Sequence, residues 1–74
     1  MKNINDLLSL GTIVLIKDNI APYMVAGYKI ENDMFDAYYM IPFPYGILTD
    51  KGVLTFKHDE VEEIFFEGYK IKKD

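Results

Sequence analysis

The stretch FDAYYMIPFPYGI, residues 35–47, decides how this chain is read. Its first half, Phe35 to Ile41, alternates as a strand does. Ala37, Tyr39 and Ile41 fall on one side, and Asp36, Tyr38 and Met40 on the other. An acid on the second side implies that this side is wet at one end at least. The second half cannot continue the ladder. Pro42 and Pro44 have no backbone N–H to donate, so regular pairing stops near Ile41. Gly46 then allows the chain to reverse. Phe43, Tyr45 and Ile47 are left in an uncharged turn, where they either complete a core or face a partner.

Working back from this strand, Glu31-Asn32-Asp33 is a reversal, and Tyr23 to Ile30 is the strand before it. Gly27 inside that strand marks a bulge or a close backbone approach, and Pro22 marks its start. Lys17-Asp18-Asn19 supplies an earlier turn, preceded by the β-branched strand Thr12 to Lys17, expected to be covered on both faces. In residues 1–10, Ile4, Leu7 and Leu8 fall at helical spacing, with Asn3 as cap and Gly11 as stop. This predicts a short helix lying over one end of the body.

Working forward, Asp50-Lys51-Gly52 is a turn and Val53 to Lys57 a fourth strand. The period then changes at His58-Asp59-Glu60-Val61-Glu62-Glu63. Asp59 followed by Glu62 resembles a capping signal, so a helical turn is expected, with Val61 and Ile64 inward. Ile64 to Ile71 is the last strand, with a bulge expected at Gly68, and residues 72–74 form a polar tail. The whole is expected to be one mainly β domain: a five-stranded antiparallel bent sheet, drawn first as an SH3-like barrel over residues 11–71, with a half-open roll as the alternative.

Composition narrows the function. Seventy-four residues make one domain, and without cysteine the core must come from apolar side chains, which are half the chain and include six tyrosines and five phenylalanines. In a body this small, eleven large rings exceed the interior positions, so some are expected at the surface, where apolar clusters mark interaction sites or homodimer faces. The net charge is −4 and there is no arginine, which argues against nucleic acid and anionic membranes as ligands. The apolar run Ile13 to Ile16 falls far short of the roughly 20 residues that span a bilayer. The N-terminal segment lacks a secretory h-region, so a cytoplasmic location is expected.

Catalytic chemistry is sparse. His58 is the only histidine and Ser9 the only serine, and neither belongs to a nucleophile motif. His58 is expected to serve as a hydrogen-bonding residue at the strand-to-helix junction. The acids Asp59, Glu60, Glu62 and Glu63 lack the spacing of a calcium loop and read as a solvated face. No catalytic, cofactor or metal residue is therefore assigned, and an enzyme is not expected.

The order of motifs resembles a small bacterial family of unknown function encoded beside LXG-domain toxins of type VII secretion systems. Leu10-Gly11-Thr12-Ile13-Val14-Leu15-Ile16-Lys17 resembles its L-x-G-S-V-V-L-L-K opening, and Met24-Val25-Ala26-Gly27-Tyr28 its second strand. Phe43-Pro44-Tyr45-Gly46 is similar to its Y-P-E-G turn, and the run from Phe56 to Tyr69 to its F-N-H-E-D-I-E-x-V-x-F-x-G-Y block. Tyr45 stands where the family carries an acid, making this turn more apolar. The resemblance implies an accessory or chaperone-like factor that binds the neighbouring toxin for export, and no catalytic residues. A homo-oligomeric unit and an immunity protein are the alternatives. Phe43, Tyr45 and Ile47 are the expected partner anchors, with Tyr38 or Met40 beside them, and a client strand added to a sheet edge as one mode.

Overall fold

The structure, a computed structural model, describes residues 7–46 and 52–69. Five strands form one antiparallel sheet: β1 (Ile13–Ile16), β2 (Pro22–Glu31), β3 (Met34–Pro42), β4 (Leu54–Phe56) and β5 (Val61–Phe66). The first four run as a meander, and β5 returns beside β1, giving the order β4-β3-β2-β1-β5. Among the described residues β4 and β5 are unpaired edges, so the sheet does not close into a barrel. The half-open roll is the form adopted. It is nevertheless strongly curled: the rings of Tyr23 on β2 and Phe56 on β4 meet at 5.1 Å although β3 lies between those strands.

Turn chemistry sets the connections. Asp18, Asn32 and Asp33 take the left-handed backbone conformations that Asp and Asn tolerate, at φ 63°, 52° and 64°. Asp18 lies in the β1–β2 loop, and Asn32 and Asp33 form the β2–β3 hairpin. The helical turn is a single 3-10 turn, His58–Glu60, which starts and ends earlier than expected. Its closing bond runs from the Lys57 N–H to the Glu60 carboxylate (2.7 Å), so Glu60 holds the position expected for Glu62. Val61 consequently opens β5, and Val61 and Ile64 are strand residues. At the N-terminus residues 1–6 lie outside the described residues. Leu7 to Gly11 forms a bend and a turn, not the expected helix.

Two bulges decide which side chains face inward. Register shifts fall between Val25 and Gly27 on β2, leaving Ala26 extra, and opposite Lys29 and Ile30, leaving Asp36 extra on β3. Each extra residue reverses the in–out parity of its strand. Val25 and Tyr28 therefore share the inner face, as do Phe35 and Tyr38, whose rings meet at 4.8 Å. Val14, Ile16, Val25, Tyr38 and Met40 are the fully buried centre, with Leu7, Leu8, Tyr23, Tyr28, Phe35, Phe56 and Val61 packed around them. The expectation that Asp36 marks the wet side of β3 fails because Asp36 is the bulge residue. Its carboxylate turns to Lys57 at 3.2 Å and Lys29 at 3.6 Å, while Tyr38 and Met40 enter the core.

The far end of the chain is fastened to β1 by backbone proximity. Gly68 is not a bulge within a strand but lies past β5, where a Cβ would collide with the backbone of Leu10, Gly11 and Thr12. Its N–H donates to the buried Thr12 hydroxyl (3.0 Å), and the Tyr69 N–H to the Leu10 carbonyl (2.9 Å). No helix among the described residues is long and apolar enough to cross a membrane.

Candidate interaction surface

Among the described residues, Tyr28, Tyr38 and His58 form a polar cluster against the core, separate from the Ser9–Thr12 hydroxyl pair. The Leu8 N–H donates to the Tyr38 hydroxyl (3.0 Å), and the Tyr28 hydroxyl donates to the Leu8 carbonyl (2.6 Å). Two tyrosines from adjacent strands thus fix the backbone of the segment entering β1. The Tyr38 hydroxyl also meets Nδ1 of His58 at 2.6 Å. The hydroxyl can donate to Nδ1 or accept from it, according to which ring nitrogen of His58 carries the hydrogen. His58 thus joins the 3-10 turn to the core. Burial raises the Tyr38 phenol above the ordinary tyrosine value, the Leu8 N–H pulls it back in part, and the neighbouring Tyr28 adds to the rise. Tyr28 is raised by burial alone.

The surface is chemically different. Of the five residues expected to meet a partner, Tyr38 and Met40 are 0% exposed and cannot be contact residues without unfolding. Ile47 lies outside the described residues. Phe43 and Tyr45 are open to solvent, at 36% and 70%. The Phe43 N–H still bonds the Pro22 carbonyl (3.0 Å), and the Gly46 N–H closes the turn on the Pro42 carbonyl (2.7 Å). The two rings are therefore held by a hydrogen-bonded turn. Ile20 in the β1–β2 loop sits at the same end of the sheet and is fully exposed.

Register extends this apolar end across the sheet. Residues directly opposite one another in an antiparallel pair share a face. Phe66 pairs with Ile13, Ile13 with Met24, and Met24 with Ile41, a four-strand row on the face opposite the core. The next row is Glu63, Leu15 and Pro22, ending at Phe43. Tyr39 lies on the same face opposite Gly27, at 37% exposure. The first strand, expected to be covered on both sides, is covered on one: Val14 and Ile16 are buried, whereas Ile13 and Leu15 are half-buried. Sequence reasoning missed this row because Ile13, Met24, Ile41 and Phe66 are distant in the chain and become neighbours only through the β5-to-β1 return.

Charge is unevenly arranged around these rows. Asp36 is held below the usual carboxylate range, chiefly by its hydrogen bond to Lys57 and further by Lys29. By contrast Glu62 and Glu63 on β5 are exposed, and among the described residues neither has an ion-pair partner. No group of three or more acidic, histidine or cysteine side chains among the described residues is arranged to hold a metal ion.

A family described as a domain of unknown function, DUF4176, matches residues 7–74, and the chain belongs to that family. No curated protein and no solved structure matches it.

Proposed function

We propose that this member of the DUF4176 family is a non-enzymatic protein-binding module, acting as an accessory or chaperone-like targeting factor for an LXG-type toxin of a type VII secretion system. The observation that carries the binding reading is the surface at the β1–β2 end of the sheet. Ile20, Phe43 and Tyr45 stand open there, and the rows from Phe66 to Ile41 and from Leu15 to Phe43 continue behind them. An apolar surface of this kind on a small chain is a liability unless it is covered in use. Tyr and Phe are effective anchors because they bury large area at low rotamer cost. The toxin assignment rests on the motif order from Leu10 to Tyr69.

Co-expression with an LXG toxin encoded beside the gene tests the reading. A complex surviving size exclusion at micromolar concentration is expected, lost on Tyr45→Ser combined with Phe43→Ser. Separate elution of the two folded proteins would refute it. A secretion defect on deletion supports targeting, whereas loss of protection from the toxin would identify an immunity protein instead.

A further inference from the structure

We infer that the outer face between β5 and the Phe43 turn is a docking surface for a polypeptide segment carrying lysine or arginine among apolar side chains. This rests on the protein-binding reading and names the chemistry of the partner. The apolar part is the row Phe66, Ile13, Met24 and Ile41, spanning three strand spacings, or about 14 Å. Glu63 stands in the adjoining row beside Leu15, and Glu62 precedes it as the extra residue of a bulge. Both carboxylates lack an ion-pair partner among the described residues, in a chain of net charge −4.

Three kinds of occupant can be compared. A second copy brings the same unpaired carboxylates and the same net charge against this fringe, so self-association is opposed. A strand added to the edge of β5 needs a regular ladder, but β5 carries two bulges, between its partners Ile13 and Val14 and between Leu15 and Ile16. Bulges and charges are the devices that keep an edge from pairing. A separate segment lying on the face meets neither obstacle. Its apolar side chains cover the Phe66 row, and its cations turn the Glu62 and Glu63 carboxylates into ion pairs. Such pairs favour the right partner and speed its encounter more than they add affinity.

Panning a library of random dodecapeptides against the folded chain tests this. Enriched peptides are expected to be net positive with interspersed apolar residues. Their affinity should fall ~10-fold or more on Phe66→Ser, fall again on Glu63→Lys, and weaken with rising salt. Glu63→Lys alters only an exposed side chain, so it guards against a folding defect in Phe66→Ser; circular dichroism checks both. Enriched peptides without positive charge, or peptides that bind both variants as well as the parent, would overturn the inference. Peptides lost only on Tyr45→Ser would overturn it while leaving the protein-binding reading intact. Failure to enrich any peptide would count against both. Sedimentation equilibrium is expected to show a monomer; a dimer broken by Phe66→Ser would make the second copy the occupant and overturn the inference.

Discussion

Tyr38 and Tyr39 are neighbours in sequence and opposites in the fold. Tyr38 is completely buried, touches the rings of Tyr28, Phe35 and His58, and bonds two groups through its hydroxyl. Tyr39 is 37% exposed on the other face, opposite the bare backbone of Gly27. The inner face is specified by packing and hydrogen bonds together, whereas the outer face is specified by register alone. If the outer face is the proposed binding surface, stability belongs to one face and recognition to the other, and substitutions should separate the two.

The largest effects should come from the inner side. Tyr38→Ala removes a central ring and its bonds, and is expected to cost about 3–5 kcal/mol in urea unfolding, enough to unfold a domain this small. Gly68→Ala should cost about 3 kcal/mol or more, because the new Cβ meets the backbone of Leu10 to Thr12 and nothing flexible can give way. Gly46→Ala offers the contrast: open space surrounds it, and only its φ of 73° resists, at about 1 kcal/mol. Tyr38→Phe keeps the ring but orphans the Leu8 N–H and His58 Nδ1, for about 1–3 kcal/mol. Tyr39→Ala should cost under about 1 kcal/mol, the ordinary price of a surface change.

Much of the inner half was legible in the sequence. Alternation, prolines and turn residues locate five strands, and Gly27 marks the bulge beside it. The in–out assignment of β3 was not legible. A bulge at Asp36 reverses parity without any glycine or proline to announce it, so Tyr38 and Met40 read as surface residues. Thr12 gave no signal either, since its hydroxyl matters only because Gly68 arrives 56 positions later. The exposed apolar surface was half legible: Phe43 and Tyr45 follow from the prolines, but the Phe66 row depends on β5 pairing with β1.

The smallest effects concern pH and sharpen the same division. Tyr28 and Tyr38 titrate above the ordinary value of 10.0 because burial disfavours their charged forms. Their contribution is complete below about pH 10, where both folded and unfolded phenols are neutral, and is lost as pH rises through the elevated folded values. Tyr38→Phe should make this alkaline limb shallower in unfolding measured against pH, leaving the part due to Tyr28. Asp36 behaves oppositely. Its lowered pKa gives a contribution present above the ordinary value of 3.8 and lost as pH falls through the depressed value. Asp36→Asn should remove that part of the acid limb and leave the alkaline limb unchanged.

The proposed division of labour between the two faces is tested most directly by measuring toxin binding and urea unfolding on the same outer-face variant, Phe43→Ser with Phe66→Ser. Binding lost at least ~10-fold, with an unfolding midpoint close to that of the parent, is the predicted result. Parental binding by this folded double variant would contradict the claim that the outer face is where this protein meets its partner.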